Sequence, residues 1–539
     1  MKMRFVCFAG MVLSFASLVA KEPPLERWIY SSTNLQVHEN VEDACALFAR
    51  GAAAGYTHAL LADSKFSRLQ DVPEKYFAHC AEVREAARKH GIELVPALFG
   101  MGYSNDLLHH NPNLAEGLPV RDALFVVKNG EANIAADPPV SLPGGDMENR
   151  KKWRFVDDDL VSENGALRAT DPKGNARFHQ TVKVSRFRQY TLSARIKTQD
   201  FTGEPEMKAL VPGRPQLSYT KLKAKRTQEW TTHHITFNSL DHDEVGIYIG
   251  TWGAAKGTIW WDDAEMHEEG LVNVLRRDGC PLVVKTEDGR ALQEGADFDA
   301  VSDPRMGNQP YAGSYEVWHE PPPIKTKQPD GTRLRVSFYH PHIIYDEQVC
   351  ICPSEPKTVE ILCDQAAGVH AVWNAGGYMM QHDEWRVLGL DEACQRRGLP
   401  AGQLIADNVR TCQDILAKTA PGARIYVWSD MFDPFHNALE NYYLTKGDLR
   451  GSWDGLASSV VLVNWNSGKP DKSLPFFAGR GHAQILAGFY DSDPTKIKSW
   501  MAAAKGVQGI VGVMYTTWRK DYSQLEAFSK AVSEAEAGR

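Results

Sequence analysis

The stretch 376-GGYMMQHDEWRV-387 sets a histidine, two adjacent carboxylates and an arginine directly behind an apolar triplet of strand character, Tyr378-Met379-Met380. Carboxyls in that position suit general acid/base work. Other strand-like runs end in a similar way. Asp63 closes 57-THALLAD-63, Trp428 and Asp430 close 424-RIYVWSD-430, and Asn464 with Trp465 closes 459-SVVLVNW-465. Tyr490 ends 484-QILAGFY-490 and is followed by Asp491, and Trp518 ends 510-IVGVMYTTW-518. Gathered in one place, these residues make a bowl of three tryptophans and a tyrosine around carboxylates. Sugars, with apolar faces and hydroxyl rims, fit such a bowl, and paired carboxyls cleave their linkages. The plain alternatives are that Asp383 caps a following helix, that each tryptophan is core, and that Asp63 is structural.

The elements that must carry these residues alternate between strand and helix. Trp28-Ile-Tyr30, 57–63 and 92-IELVPALF-99 are the first three strands. Between them lie 41-VEDACALFARGAAAG-55 and 74-EKYFAHCAEVREAARKHG-91, the second closing on a glycine. The rhythm then breaks. Residues 141–304 are rich in short alternating segments such as 178-FHQTVKV-184, 230-WTTHHITF-237 and 258-TIWWDDAEM-266, the pattern of a β-sandwich. After the Pro-rich 320-EPPPIKTKQPDG-331 the alternation resumes with strands at 377–382, 424–430, 459–465, 484–490 and 510–518. The run 334-LRVSFYH-340 is a ninth candidate, assigned to the excursion. The expected fold is α/β: a (β/α)8 TIM barrel with a jelly-roll-like β-sandwich inserted between strands three and four. Its parts are a signal peptide (1–20), the first part of the barrel (21–140), the sandwich (141–304), and the second part of the barrel with the catalytic site (305–539). In such barrels the C-terminal strand ends form the site.

The stretch 353-PSEPKTVEILCDQAAGVHAVW-373 followed by 378-YMMQHDE-384 resembles the β-N-acetylhexosaminidase family of retaining glycosidases, and the Trp260-Trp261-Asp262-Asp263 segment resembles the closing strand of carbohydrate-binding modules. The family has a Pro-x-x-Pro-x-Thr opening before strand four and His-x-Gly-Gly-Asp-Glu at its end. The resemblance implies substrate-assisted hydrolysis, with Glu384 as acid/base and Asp383 orienting the 2-acetamido group. It further implies that Tyr490 and Asp491 contact that group and that Trp428, Trp465 and Trp518 form the sugar walls. Here Met379-Met380-Gln381-His382 replaces the His-x-Gly-Gly part of the motif, and Arg519-Lys520 follows Trp518 in place of a carboxylate. His382, Arg386, Asp430 and His340 are therefore added as substrate-binding candidates.

Composition narrows the field further. Net charge is −8 and no basic stripe with interleaved aromatics occurs, which argues against nucleic acid as a partner and leaves an oligosaccharide or polysaccharide glycan. MKMRFVCFAGMVLSFASLVA has the form of a cleavable secretory signal, and no later run reaches membrane-spanning length. Secretion or a periplasmic location follows. The eight later cysteines are scattered, and Cys350-x-Cys352 has no second pair at zinc-finger spacing. His340-Pro-His342 with Asp346 nearby is a metal-hydrolase pattern, but no matching set ends the later strands. No metal site and no cofactor is expected. Two other functions compete: a glycosidase with Asp430 as nucleophile, and a carbohydrate-binding protein without activity.

Overall fold

Eight parallel strands close into a barrel in the computed structural model, which describes residues 24–211, 216–345 and 347–537. The signal-like residues 1–20 and Asp346 lie outside the described residues. In chain order the barrel strands are β1 (Glu26–Ser32), β2 (His58–Ala62), β3 (Glu93–Leu98), β4 (Gly377–Met380), β5 (Arg424–Trp428), β6 (Val461–Asn464), β7 (Gln484–Phe489) and β8 (Ile510–Thr516), each paired with the next and β8 with β1. All eight coincide with runs expected from the sequence.

Alternation along the strands sorts the side chains. Trp28, Tyr30, Leu60, Val95, Met379, Tyr426, Trp428, Val463 and Met514 fill the interior of the barrel. Ile29, Leu61, Leu98, Tyr378, Met380, Val427 and Leu462 point outward into the core shared with the helices. Those helices are α1 (His38–Ala53), α2 (Glu74–His90), α3 (Pro356–Trp373), α4 (Ala401–Thr419), α5 (Pro470–Gly479), α6 (Ile497–Ala503) and α7 (Leu525–Ala537). α3 shows how locally its limits are set: Pro356 occupies the first turn, where no amide partner is lost, and Asn374 ends the helix in the left-handed conformation. The barrel departs from the ideal between β5 and β6. That crossover holds only the 3-10 turns Asp430–Phe432 and Ser452–Gly455 and a short strand, Leu444–Thr445, paired with Val387–Leu388.

Between β3 and α3 the chain builds antiparallel sheets. Strands from Phe155 to Glu268 form a five-stranded and a four-stranded sheet, with Phe178, Ile196, Ile249 and Trp261 fully buried. Trp261 packs inward while Trp260, its neighbour across the strand, donates from Nε1 to Glu163 Oε2 at 2.9 Å. A second assembly was not anticipated. Leu118–Lys128, Glu131–Ile134, Val283–Thr286, Ala291–Leu292, Ile324–Lys325 and Arg333–His340 form a six-stranded sheet with its own core of Val120, Phe125, Val336 and Phe338. The run 334–340 thus belongs to the excursion. Among the described residues no helix is long and apolar enough to cross a membrane, and no disulfide is formed.

Candidate active site

Over the C-terminal ends of the strands lies a cavity of about 570 Å³ lined by Tyr30, Asp63, Tyr103, Gln381, Asp383, Glu384, Trp428, Trp465 and Trp518, among others. Its floor follows from the strand period. Met379 points into the barrel, so Gln381 and Asp383 continue on that face, and His382 falls on the opposite one. Strict alternation would turn Glu384 away as well. Instead Glu384 adopts φ 49°, a left-handed conformation uncommon for a side chain other than glycine, asparagine or aspartate, and both carboxylates enter the cavity. Three contacts hold that turn. The Glu384 amide donates to Asp430 Oδ2 at 2.9 Å, its carbonyl accepts from Gln348 Nε2 at 2.9 Å, and Gly102 packs directly beneath the Asp383 carbonyl.

The Glu384 carboxylate is gripped on both oxygens: Tyr103 donates its hydroxyl to Oε2, and the Arg386 guanidinium pairs with Oε1. Arg386 is itself buried. It donates to Gln348 Oε1 and lies 5.0 Å from the ring centres of both Tyr345 and Tyr443. Burial, reinforced by the nearby Asp430 and Glu384, holds the Asp383 carboxyl well above the usual carboxylate range. Asp430 is also raised, first by burial. Its oxygens are already engaged, Oδ1 by Trp465 Nε1 at 3.2 Å and Oδ2 by the Glu384 amide and by Asn437 Nδ2 at 2.9 Å.

Aromatic rings wall the cavity. Tyr30, Trp428 and Trp518 meet at centroid distances of 5.2–6.1 Å, and Trp518, 53 % exposed, forms the outer lip. Trp465 also lines a second cavity that reaches Tyr490, whose ring lies 6.0 Å from Trp518 and 6.2 Å from Trp465. The Tyr490 hydroxyl is buried without a hydrogen-bond partner among the described residues, and burial beside Asp430, Asp383 and Glu384 raises its pKa far above that of free tyrosine. Phe489, Tyr490 and Asp491 have successive φ values of 76°, 49° and 53°, three left-handed residues in a row. Conformations of this kind cost free energy and cluster at ligand-binding turns.

Four residues assigned to substrate from the sequence sit elsewhere. His382 is fully buried on the outer face of the barrel, its Nε2 3.0 Å from Asn408 Oδ1 on α4. His340 lies in the six-stranded sheet, where Nε2 meets Asn238 Nδ2 at 3.0 Å, and burial pushes its pKa down to about 4. Arg386 stands behind Glu384 rather than in the cavity. Asp491 is spent on backbone, accepting from the Trp518 amide at 2.9 Å and from Thr517 Oγ1, and so shapes the turn that presents Trp518. Asp63 likewise serves structure, accepting from the Leu35 and Lys65 amides and the Tyr76 hydroxyl. Tyr103, Gln348 and Asp106 were missed. Tyr103 and Gln348 lie in loops of the excursion and Asp106 in its short helix Asn105–Leu108, and no strand pattern marks them. Burial raises the Asp106 carboxyl to about 6.

No family model matches this chain, and no curated protein matches it. Solved structures with partial likeness include tandem GH20 catalytic modules of the pneumococcal exo-β-D-N-acetylglucosaminidase StrH, at 7 % identity and a TM-score of 0.36 over 95 % of this chain and 84 % of that one. A rhamnosidase from Novosphingobium sp. PP1Y gives 12 % identity and a TM-score of 0.32 over 96 % of this chain, which spans 59 % of that enzyme. A CBM4 structure gives 22 % identity and a TM-score of 0.17 over 24 % of this chain and 85 % of that one.

Proposed function

We propose that this protein is a secreted glycoside hydrolase that removes terminal β-linked N-acetylhexosamine-type sugars by a substrate-assisted, retaining mechanism. The observation that carries the reading is the left-handed turn at Glu384, which sends two adjacent carboxylates into one aromatic-walled cavity. Glu384, fixed by Tyr103 and Arg386, protonates the glycosidic oxygen as the C1–O bond breaks. The acetamido carbonyl oxygen of the sugar forms the new bond to C1, so no enzyme nucleophile is needed, and the aglycone leaves as an alcohol. Asp383 accepts from the acetamido N–H and orients the group for attack, and the Tyr490 hydroxyl donates to the acetamido oxygen. Water, losing its proton to Glu384, then opens the ring from the opposite face and restores the original configuration.

A direct displacement by Asp430 is disfavoured because Asp430 is fully buried, beneath the cavity that Asp383 and Glu384 line, where it supports the Glu384 turn and the Trp465 wall. The deciding experiment is a panel of aryl glycosides with and without a 2-acetamido group, run with the wild type and Glu384→Gln. The expected result is turnover confined to acetamido sugars and reduced about 10²–10⁴-fold in the variant. Equal turnover of sugars that lack the acetamido group would return the nucleophile to an enzyme carboxylate.

A further inference from the structure

Outside the lining of the cavity, four side chains from three separate segments meet: Glu116, Cys352, Asp391 and Cys394. Glu116 stands just before the strand Leu118–Lys128, Cys352 just before α3, and Asp391 caps the short helix Glu392–Gln395 that follows the Asp383-Glu384 loop. Each is at most 1 % exposed, and one ligand atom from each falls within 4.8 Å of all the others. The sulfurs are 3.6 Å apart, and Cys394 Sγ is 3.4 Å from Glu116 Oε2.

These separations distinguish between the chemistries open to two buried cysteines. A disulfide requires about 2.0 Å between sulfurs. The edges of a tetrahedron around zinc, with bonds of about 2.3 Å to sulfur and about 2.0–2.2 Å to oxygen, run to about 3.3–3.8 Å. The sulfur-sulfur separation of 3.6 Å and the Cys394–Glu116 separation of 3.4 Å fall in that range, and all four ligand atoms lie within 4.8 Å of one another. The outer atoms of the cluster are oriented from behind, as ligands usually are. Glu116 Oε1 accepts from the Leu390 and Asp391 amides at 2.7 and 3.2 Å, and Asp391 Oδ2 accepts from Arg277 at 2.6 Å. On the inner side, among the described residues, Glu116 Oε2 and Cys352 Sγ have only the Cys394 thiol as a partner, while Asp391 Oδ1 accepts from the Cys394 amide at 2.8 Å and Cys394 Sγ lies 3.2 Å from Ser354 Oγ. Among the described residues no Lys or Arg forms an ion pair with Glu116.

We propose that Glu116, Cys352, Asp391 and Cys394 bind a zinc-class divalent cation at a closed structural site. Two thiolates select zinc over the hard cations magnesium and calcium, and four protein ligands leave no open position for catalysis. Binding exchanges the two thiol protons, and any proton on the carboxyls, for the metal, with no change of oxidation state. The bound ion ties the segment that leaves the barrel to the one that returns and to the helix behind the catalytic loop. Linear spacing hid the site, because Cys352 and Cys394 lie 42 residues apart and neither belongs to a Cys-x2-Cys pair.

The test uses full-length protein purified without chelators or an oligohistidine tag. Elemental analysis should find about one zinc per chain. Cobalt added to stripped protein should give a thiolate-to-cobalt charge-transfer band, and both signals should vanish in Cys352→Ser and Cys394→Ser. Should these variants fail to fold, alkylation of the wild type supplies the second readout, with Cys352 and Cys394 protected only while zinc is present. A Cys352–Cys394 disulfide in the peptide mass map would overturn the proposal. So would zinc retained in both serine variants, or thiols alkylated at the same rate with and without added zinc.

Discussion

Replacing Gly102 by alanine tests how the two carboxylates are aimed. A Cβ at residue 102 would stand 2.0 Å from the Asp383 carbonyl oxygen, and 3.0 and 3.1 Å from the carbonyl carbon and oxygen of Glu384. Ordinary contact begins near 3.4 Å, so one side must retreat by about 1.4 Å, the difference between 3.4 and 2.0. The glycine side is pinned, since its carbonyl accepts from Gln348 Nε2 at 2.8 Å and from Cys350 Sγ at 3.2 Å. The displacement therefore falls on the Asp383-Glu384 turn, or carries off Tyr103, whose hydroxyl holds the Glu384 carboxylate. Forced overpacking costs about 1–3 kcal/mol of stability, and a misplacement of about 1 Å at the reacting groups costs roughly 10²-fold in rate. The assay pairs kcat on an aryl N-acetylhexosaminide with the melting temperature. Gly479→Ala, where an added Cβ meets nothing within 4 Å, is the control and should leave kcat unchanged and the melting temperature unchanged or slightly raised. A Gly102→Ala enzyme with kcat within twofold of wild type and an unshifted melting temperature would refute the idea that this close approach sets the turn.

Three further substitutions separate binding from structure. Tyr490→Phe removes a buried hydroxyl that has no partner among the described residues, so stability should hold or rise by about 1 kcal/mol while turnover of acetamido sugars falls about tenfold. A lower melting temperature with intact kinetics would make that hydroxyl structural. Because burial lifts Asp106 to about 6, the folded state keeps a proton between about pH 4 and pH 6 that the unfolded chain releases, and stability falls as pH rises through that window. Asp106→Asn should therefore match the wild type in melting temperature near pH 4 and exceed it by a growing margin up to about pH 6, constant beyond; a margin independent of pH would exclude Asp106 as its source. Trp518→Ala, at the exposed lip, should raise KM roughly three- to tenfold with little effect on the melting temperature, in line with about 0.5–1.5 kcal/mol of ring stacking. A KM unmoved by the loss of the ring would remove Trp518 from the sugar wall.

What the sequence made legible was governed by short-range physics. The barrel strands are continuous apolar runs punctuated by turn residues, and Asp383-Glu384 stood out because it follows such a run. His382 could not be placed without register: counting inward from Met379 turns it outward, but the register of Met379 depends on its pairing with Ala97, which is 282 residues away. Glu384 escapes the same count only through a left-handed turn that Gln348 and Asp430 hold from distant segments. The six-stranded sheet was missed because its strands come from both sides of the sandwich, and no local pattern states that Phe125 will lie opposite Leu334. Arg386 and Asp491 carry charge near the site yet act through other groups, a distinction that residue type alone does not encode.

The length of the excursion bears on how the chain reaches its fold. Between Leu98 and Gly377 lie 278 residues (377 − 98 − 1), against about 30 for an ordinary strand-helix-strand step. Closing so long a flexible loop costs about 2 kcal/mol more entropy than closing the short one, because the cost grows only with the logarithm of length. Most of that excess disappears if the excursion orders first. Ala115 pairs with Ile351, and Pro119 with Tyr339, so the folded excursion begins and ends at a narrow neck beside the barrel. Past that neck only the spans 99–114 and 352–376 separate the third and fourth barrel strands. A barrel interrupted after its third strand can then close at nearly the rate of an uninterrupted one, with the order of events, rather than the number of residues, setting its speed.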